Sequence, residues 1–255
     1  MIEIDNIYNM DCLEGMKLIP DGSVDAVICD LPYGVLNSTS EGGSWDSIIP
    51  LEPLWEQYKR ITKPTAAIVL FCQGMFTAKL MMSQPKLWRY NLIWDKINRI
   101  TGFLNANRMP LRIHEDIAVF YNSLPTYNPQ MTIGDKCHPR GFGNHRNNNR
   151  CYGDFKQQTT VITNEKFPTS IVAFDKEHDG TQWHPTQKPT ALIRYLIRTY
   201  TNEGDTVLDN CMGSGTTAVA CIKEKRHFIG FELNKDYFDK ATKRIKAEQS
   251  QLCLF

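Results

Sequence analysis

The sequence predicts a mixed α/β fold built on a largely parallel sheet, and two observations indicate it. Short apolar runs alternate with helix-like stretches from residue 1 to about residue 121, and the alternation returns from about residue 183 to residue 255. This rhythm is typical of β-α-β units, in which helices cover parallel strands. Residues 122–182 lack it and are rich in Pro, Asn, Gly, His and Arg. We therefore expect one α/β domain in two halves, interrupted by an inserted region.

The expected elements follow from local patterns of apolar residues. Strands are expected where apolar, β-branched or aromatic residues run together, and helices where apolar residues recur at helical spacing. The expected strands are, in chain order, 24–29, 66–72, 90–94, 117–121, 206–209 and 227–231. The expected helices are 51–61, 75–83, 190–200, 216–223 and 236–249. Helices thus separate most successive strands, as the crossover connections of a parallel sheet require.

Composition indicates an ordinary soluble protein. Of the 255 residues, 42% are hydrophobic and 22% are charged. No window approaches the roughly 18 apolar residues of a membrane span, and the first residues do not resemble a signal peptide. Eight cysteines without a CxxC pair fit a reducing, cytoplasmic setting. The net charge of +1 neither indicates nor excludes a polyanionic partner, so a basic surface has to arise locally.

Basic residues are concentrated between positions 136 and 156, within the region that lacks periodicity. They are Lys136, Arg140, Arg146, Arg150 and Lys156, against Asp154 as the only acid. A long stretch of this kind inside a domain is usually functional or disordered. The same stretch contains Cys137, His138, His145 and Cys151. Zinc sites normally use close pairs such as C-x2-C, which this spacing does not offer, so we expect no metal.

The strongest local signal is a strand that runs through a glycine-rich turn directly into a helix, in LDNCMGSGTT at 208–217. The strand ends in Asp209, and Gly213 and Gly215 let the backbone approach a ligand closely. The spacing is neither that of a P-loop nor that of a dinucleotide fingerprint. Glu232 follows the next strand, where a carboxylate can accept hydrogen bonds from both hydroxyls of a ribose. Together these features predict a nucleoside site; the alternatives are a tight turn and a helix N-terminal acid.

Another carboxylate follows the first expected strand, in Asp30-Leu31-Pro32-Tyr33-Gly34. Pro32 restrains Leu31 to an extended conformation, so the Leu31 carbonyl is not used in a helix. Asp30 and that carbonyl are adjacent acceptors, and Tyr33 adds an aromatic face. Such a group could hold the amine of a nucleobase that has left its stack. Taken alone, the string is also an ordinary turn.

Four strings, which follow one another in the chain as 30–33, 112–121, 184–189 and 209–217, resemble the beta group of S-adenosylmethionine-dependent amino methyltransferases of DNA, which act on N6 of adenine or N4 of cytosine. Asp30-Leu31-Pro32-Tyr33 is similar to the family's (D/N/S)PPY, and 209–217 to its DPFxGSGTT. RIHEDIAVFY at 112–121 is similar to its RxHExIxVF element, and HPTQKP at 184–189 to the stretch before its cofactor strand. The departures are Leu31 for a proline and Asn210-Cys211 for Pro-Phe.

The resemblance implies a seven-stranded, mostly parallel, Rossmann-like methyltransferase sheet. It is expected to be cyclically permuted, with a catalytic half at 1–121, an inserted target-recognition region at 122–182 and a cofactor half at 183–255. An antiparallel strand is expected near 117–121. The implied reaction moves the methyl group of S-adenosylmethionine to an exocyclic amine in double-stranded DNA. The implied catalytic residues are Asp30, Leu31, Pro32 and Tyr33, with Tyr33 stacked on the base.

The resemblance also implies a set of cofactor-binding residues. They are Asp11, Cys12, Asp30, Lys188, Asp209, Cys211, Gly213, Ser214, Gly215, Thr216, Thr217, Glu232 and Leu233. Lys188 would face the methionine carboxylate, Glu232 the ribose, and Leu233 and Asp11 the adenine. For Asp11, a helix N-cap before residues 13–18 is an equally good interpretation.

The target base and the partners are less constrained. Asp30 at the head of its string favours N6 of adenine, because the family's N4-cytosine enzymes usually carry Ser there. N4-cytosine methylation, RNA base methylation and an inactive DNA-binding relic stay open. The candidates for DNA contact are Lys136, Arg140, Arg146 and Arg150, with a disordered surface insertion as the alternative. Residues 94–96 and 105–108 predict a loop near the target strand or an ordinary surface loop. A homodimer and a companion restriction enzyme in a bacterial or phage-infected cell also stay open.

Overall fold

Strands and helices alternate along most of the chain. The computed structural model describes residues 2–34, 46–135, 164–175 and 187–252. The strands are β1 (Asn6–Tyr8), β2 (Val24–Asp30), β3 (Thr62–Cys72), β4 (Trp88–Asp95), β5 (His114–Phe120), β6 (Thr132–Ile133), β7 (Glu165–Lys166), β8 (Ile171–Ala173), β9 (Thr206–Asp209) and β10 (His227–Phe231). The helices are α1 (Cys12–Met16), α2 (Leu51–Ile61), α3 (Met75–Ser83), α4 (Thr190–Tyr200), α5 (Thr216–Lys223) and α6 (Lys235–Leu252). Contacts group them into two units, 1–128 with 170–255, and 129–169.

The larger unit is built on a sheet that brings distant parts of the chain together. Eight strands of the described residues pair in the order β1-β10-β9-β2-β3-β5-β4-β8. Neighbours from β1 to β3 are parallel, as are β4 and β8. β5 runs antiparallel to both β3 and β4. The carboxyl ends of β2, β3, β4, β9 and β10 therefore meet at one edge, which is where α/β sheets bind ligands.

Helices cover both faces of this sheet. On one face, α4, α5 and α6 contribute Leu196, Val219 and Ile245 to a buried cluster. On the other, α1, α2 and α3 contribute Met16, Trp55 and Phe76. Successive residues of the central strands belong to alternate clusters, because side chains point to opposite faces along a strand. The sheet is thus buried on both sides, which explains why its strands read as nearly continuous apolar runs.

The smaller unit, 129–169, is described at two short strands. β6 pairs antiparallel with β7, with Thr132 opposite Lys166 and Ile133 opposite Glu165. Gly134 N continues the pairing by donating to Asn164 O at 2.8 Å. Residues 136–163 between these strands lie outside the described residues.

The predicted fold class is confirmed, with corrections in detail. The six strands expected from local patterns become eight among the described residues, because β1 and β8 close the two edges of the sheet; the resemblance implied seven. Each has three residues, too few to show an alternating pattern. β3 begins at Thr62, directly after α2, rather than at residue 66. The region boundaries 122 and 182 stay predictions, although β8 falls between them and belongs to the main sheet.

Candidate active site

The turn after β2 is held by a side chain from outside it. Asp30 is the last residue of β2, and the next turn's Tyr33 N and Gly34 N both donate to Asp46 Oδ1, at 2.8 and 2.9 Å. Gly34 has a φ of +67°, and a Cβ there would meet a neighbouring side chain at 2.8 Å, so the position requires glycine. Leu31 is 3% exposed and packs into the core under α1 and α2. Leucine in place of the family's proline therefore fills the core.

Both carboxylate oxygens of Asp30 have partners. Tyr33 OH donates to Oδ1 at 2.7 Å, and Lys188 Nζ lies 2.5 Å from Oδ2. Burial raises the pKa of Asp30 above its usual value, and the charge of Lys188 opposes that rise. The Tyr33 ring stacks on Phe76, with the centroids 5.5 Å apart. Asp30 is thus oriented by a hydroxyl and by a buried cation.

Lys188 connects Asp30 to a second ion pair. Its Nζ lies 3.3 Å from Oε2 of Glu115 on β5, and Lys96, which follows β4, pairs with Glu115 Oε1. Burial raises the pKa of Glu115, but the charges of Lys188 and Lys96 outweigh it and hold that pKa below its usual value. Burial likewise lowers the pKa of Lys188, but Asp30 and Glu115 outweigh it and raise that pKa. Glu115 and Lys188 are therefore both charged near neutral pH.

The second turn joins β9 to α5. Asp209, the last residue of β9, is 4% exposed and accepts a hydrogen bond from Cys211 N at 3.1 Å. Burial raises the pKa of Asp209 to about 6, against hydrogen bonds from Thr217 and Cys211 N. Gly213 has a φ of +53°, and the only atom that a Cβ there would approach within 4 Å, among the described residues, is Cys211 O at 3.9 Å. Glycine therefore leaves the space beside this turn open.

Glu232, which follows β10, is fixed by backbone donors. Its Oε2 accepts from Gly213 N and its Oε1 from Asn234 N, both at 2.8 Å. Asn9 Nδ2 holds the same segment by donating to Glu232 O and Leu233 O, at 2.8 and 3.0 Å. Each carboxylate oxygen has a further lone pair that a ligand hydroxyl can use.

Asp11 is the N-cap of α1. Its Oδ1 accepts from Leu13 N at 2.9 Å and from Glu14 N at 3.2 Å. The capping interpretation of the sequence is confirmed. Asp11 also lies in the lining of the cavity described below, so the cap does not exclude contact with a ligand.

The two residues that replace the family's Pro-Phe lie in a buried polar contact. Tyr58 OH of α2 donates to Asn210 Oδ1 at 2.5 Å. Asn210 Nδ2 lies 3.7 Å from Cys12 Sγ and 3.5 Å from Cys211 Sγ. Asn210 is 2% exposed, so it ties α1 and α2 to the turn after β9. The sequence contains no local signal for this long-range contact.

The two turns open onto one cavity of about 560 Å³. This volume is in the range of small-molecule and cofactor sites. The predicted site residues that line it are Asp11, Cys12, Asp30, Leu31, Pro32, Lys188, Asp209, Cys211, Gly213, Ser214, Thr216, Thr217, Glu232 and Leu233. Gln187 also lines it, and its buried Oε1 has no hydrogen-bond partner among the described residues. The cavity thus offers an acceptor, a carboxylate and an open backbone turn to a ligand.

Two predicted site residues are outside the cavity lining. Gly215 begins α5 with a φ of +75°, and a Cβ there would lie 3.2 Å from Ala241 Cβ, so its glycine allows close packing against α6. Tyr33 acts on the cavity through its hydrogen bond to Asp30. Lys188, which the resemblance places against the methionine carboxylate, instead has Asp30 and Glu115 as its partners here. The ligand contacts of these residues stay predictions.

Sequence reasoning gave no role to three residues that hold the site together. Asp46 pins the turn after β2, Asn9 holds the segment around Glu232, and Glu115 partners Lys188. Glu115 lies in the quoted RIHEDIAVFY string, but its partners are far away in the chain. Asp46 has no motif around it that would have indicated its contact.

Several predicted residues lie outside the described residues. They are the DNA-contact candidates Lys136, Arg140, Arg146 and Arg150, the cysteines and histidines at 137, 138, 145 and 151, and the first three residues of the HPTQKP string. Within the described ranges, no group of three or more His, Cys, Asp or Glu side chains is placed to hold a metal ion. None of the helices described there is long and apolar enough to cross a membrane.

The N6/N4 family model, described as DNA methylase, matches residues 24–243. The match spans both turns and most of the chain. The protein belongs to this family. The methylase acts on DNA and uses S-adenosylmethionine as its cofactor. The open turn at Gly213, the Glu232 carboxylate and the unpartnered Gln187 Oε1 fit a ligand with ribose hydroxyls and an ammonium group.

The methylase is similar to curated type II methyltransferases. Type II methyltransferase M.BglII of Bacillus subtilis is 27% identical over 262 residues, covering 97% of this chain and 71% of the relative. Type II methyltransferase M.HpaI of Haemophilus parainfluenzae is 25% identical over 246 residues, covering 93% of this chain and 73% of the relative. The similarity therefore extends over nearly the whole chain.

Solved structures show the same architecture. The crystal structure of the M1.HpyAVI–SAM complex is 25% identical, with a TM-score of 0.62, and the match covers 94% of the methylase and 98% of that chain. PvuII DNA methyltransferase, named as cytosine-N4-specific, has a TM-score of 0.65 at 15% identity, with 98% and 93% covered. The second likeness shows the fold alone.

Proposed function

We propose that this methylase transfers a methyl group to N6 of an adenine that has been flipped out of double-stranded DNA. The observation that carries the proposal is Asp30, a carboxylate at the carboxyl end of β2 that lines the cavity. Among the enzymes that the motif resembles, Asp at this place is typical of N6-adenine methylation and Ser of N4-cytosine methylation. A flipped base is needed because an amine paired inside a duplex cannot reach such a site.

Asp30 and the Leu31 carbonyl would accept hydrogen bonds from the two N–H groups of the target amine. The lone pair of that nitrogen is delocalised into the base, so the amine is a poor nucleophile. Fixed acceptors would turn the lone pair toward the methyl group and stabilise the positive charge that develops on nitrogen as the N–C bond forms and the C–S bond breaks. The charge is lost when the methylated amine releases one N–H proton to solvent. Orientation of this kind contributes up to about 7–11 kcal/mol in the best cases. Tyr33 would keep Asp30 oriented through its hydroxyl and offer its ring to the base.

S-adenosylmethionine, when bound, supplies a methyl group on a positively charged sulfur. Glu232 would accept hydrogen bonds from the ribose hydroxyls, and Leu233 and Asp11 would contact the adenine. Asp209, Gly213 and the neighbouring turn would lie along the methionine part. Leu233 is 71% exposed, so it is available to cover a ligand at the cavity mouth.

A finger formed by residues 96–113, between β4 and β5, is suited to contact the target DNA. Lys96 N donates to Ile113 O and Thr101 N to Arg112 O, both at 2.8 Å, so the finger continues the hairpin of β4 and β5. Its exposed cations are Arg99, Arg108 and Arg112, with no acid in the segment, while Lys96 at its root is buried against Glu115. Phe103 and Leu104 near its tip are 71% and 85% exposed. Cations that contact phosphates and apolar side chains that enter a base stack are both used by proteins that distort DNA.

Further partners are part of the same proposal. The basic residues between 136 and 156 would add phosphate contacts. The type II relatives support a companion restriction enzyme and a cytoplasmic setting in a bacterial or phage-infected cell. The methylase could also act as a homodimer, with or without a companion restriction enzyme.

The target base is tested by expressing the methylase in a host without adenine methylation. Genomic DNA is digested to nucleosides and analysed by mass spectrometry, and long-read sequencing gives the sequence context. We expect N6-methyladenine in one sequence context, and none with an Asp30→Ala variant. N4-methylcytosine in its place would contradict the proposal, as would methylation found only in RNA. Calorimetric titration with S-adenosylmethionine provides the control, because an inactive relic without a cofactor site would not bind it.

A further inference from the structure

Two buried lysines and two half-buried carboxylates form a chain of ion pairs at the catalytic edge of the sheet, and the Asp30 side chain is the most exposed of the four, at 26%. Lys96 pairs with Glu115, Glu115 faces Lys188, and Lys188 pairs with Asp30. The side chains of Lys188, Lys96 and Glu115 are 8%, 9% and 12% exposed. Two cations and two carboxylates balance, so the set carries no net charge when all four are ionised.

The two contacts of Lys188 are unequal. Its Nζ lies 2.5 Å from Asp30 Oδ2 but 3.3 Å from Glu115 Oε2. Glu115 Oε2 is buried and forms no hydrogen bond with good geometry in the described part of the chain. Lys188 therefore binds Asp30 closely, while Glu115 Oε2 nearby can still accept a hydrogen bond.

This arrangement conflicts with the proposed task of Asp30. The target amine becomes positively charged as its nitrogen gains the methyl group, and Lys188 already places a positive charge on the same carboxylate. Two cations on one carboxylate repel each other, most strongly where water is excluded. Moving Lys188 away without a new partner would leave a buried charge uncompensated, which is strongly unfavourable.

We propose that Glu115 is a positioning residue for methyl transfer. When the amine of the target base binds the Asp30 carboxylate, Lys188 moves from Asp30 and pairs with Glu115. The inference rests on the proposed role of Asp30. Glu115 Oε2 supplies the acceptor, and Lys96 keeps the other oxygen engaged so that the carboxylate stays oriented. Lys188 has only to shorten a contact that is already 3.3 Å, and no charge leaves the buried set. Asp30 is then free to accept from the amine.

The test compares Glu115→Gln with the wild-type protein. Gln keeps the shape but removes the charge, so Lys188 stays on Asp30 and the amine has to compete with it. We expect kcat to fall about ten- to hundredfold, the size of one charge-assisted hydrogen bond, with the Kd of S-adenosylmethionine within about threefold. Glu115→Asp, which keeps the charge, should restore part of kcat. The matched control is Asp116→Asn, a carboxylate on the same strand that accepts from Thr77 OH at 2.8 Å and does not join the chain; its kcat should be unchanged.

A second measurement isolates the amine. DNA binding is measured with a non-reactive analogue of the cofactor, using the target base and then the same base without its exocyclic amine. Wild-type protein should prefer the amine-bearing DNA about tenfold, and Glu115→Gln should lose that preference. If Glu115→Gln does not fold, Lys96→Met combined with Glu115→Gln leaves the neutral pair of Asp30 and Lys188 and takes its place in both experiments.

Two results would overturn the proposal. One is an unchanged kcat for the folded variant, and the other is a reduced kcat with the amine preference intact. The experiment does not depend on which base is methylated, because adenine and cytosine each have an analogue without the amine. Cytosine methylation by the wild-type protein would therefore contradict the proposed target and leave this inference to its own test.

Discussion

Three carboxylates at the cavity differ in what compensates their charge. Asp30 has a buried lysine, and Glu232 has backbone N–H donors on both oxygens. Asp209 accepts hydrogen bonds from Thr217 and Cys211 N, but burial outweighs them and raises its pKa to about 6. Burial without a counter-ion disfavours the ionised form. Burial raises the pKa of all three carboxylates above its usual value, and for Asp209 that pKa is about 6, so the ionisation of Asp209 opposes folding at neutral pH.

Replacing Asp209 by Asn should therefore change stability in a pH-dependent way. The folded-state pKa, about 6, lies above the reference value of 3.8, so the folded protein binds this proton more tightly than the unfolded chain. Tighter binding of this proton stabilises the folded wild-type protein. That contribution is complete below the unfolded-state pKa of Asp209 and is lost as pH rises through about 6. Relative to wild type, Asp209→Asn should gain about 2–3 kcal/mol in the free energy of unfolding between pH 4 and pH 8.

Urea denaturation of both proteins at the two pH values measures this gain. Any loss of hydrogen bonds in the variant contributes at both pH values, so the difference between them isolates the charge. An equal effect of Asp209→Asn at pH 4 and pH 8 would contradict the assigned cause. Asp21→Asn, at a side chain that is 78% exposed, serves as the control for a surface carboxylate.

At the scale of elements, the finger at 96–113 differs from the rest of the catalytic edge. It leaves the sheet at the carboxyl end of β4, the edge on which Asp30 lies, and its root contains Lys96 of the buried ion chain. Ile97, next to it, has a φ of +60°, which is unfavourable for a β-branched residue. The exposed apolar tip has no core to fill, so its removal should affect binding more than folding.

Replacing both Phe103 and Leu104 by Ala should weaken DNA binding and methylation while stability is kept. We expect kcat/KM for DNA to fall about tenfold, because stacking of one aromatic side chain, here Phe103, on a base is worth about 1–3 kcal/mol. The free energy of unfolding should change by no more than about 0.5 kcal/mol, as for other substitutions at exposed positions. Leu124→Ala, at a side chain that is 79% exposed elsewhere in the same unit, is the matched control.

The finger experiment has a further arm. DNA with a mismatch at the target base costs less to open, so the variant should recover part of its rate on that DNA. Equal losses on matched and mismatched DNA would mean that the tip does not assist base extrusion. Full activity of the variant on matched and on mismatched DNA would mean that the finger does not contact the DNA.

Local patterns predicted the elements whose sequences carry long signals. The bounds of α2, α3, α4 and α5 agree with the expectation, because α2 and α4 have an apolar stripe of several turns and α5 has a glycine-rich start. The edge strands β1 and β8 were not predicted, because three residues are too few to show a pattern. The turns bearing Asp30 and Asp209 were also predicted, because strand, acid and glycine are consecutive there. Contacts such as Lys188 with Glu115 depend on how remote strands align, so one sequence does not reveal them.

At the scale of the whole molecule, the cavity is built from residues that lie far apart in the chain but within the larger unit. Asp11 and Asp30 come from the first half of the chain, and Asp209 and Glu232 from the second. A ligand that binds only the folded form stabilises it by about 2.7 kcal/mol at a hundred times its Kd. S-adenosylmethionine should therefore raise the Tm of the larger unit as one cooperative transition.

Glu232→Gln should reduce that stabilisation. It removes the charge that accepts from the ribose, so we expect the Kd of S-adenosylmethionine to rise about tenfold or more. Differential scanning calorimetry at increasing ligand concentration measures the shift in Tm. Glu203→Gln, at a side chain that is 67% exposed, should shift in the same way as wild type. An unchanged ligand-dependent shift for Glu232→Gln would remove Glu232 from the cofactor site.

The pairing of β2 with β9 has a consequence for the chain while it is being synthesised. Ala26 and Val27 of β2 pair with Val207 and Leu208, so one edge of β2 has no partner until the ribosome has added β9. At about 5–20 residues per second, that interval is on the order of 10–40 s. An apolar strand with an open edge invites pairing with other chains. Until β9 is synthesised, Asp25 places a charge near that edge. In the folded protein the same carboxylate accepts a hydrogen bond from Thr206 N at 3.0 Å.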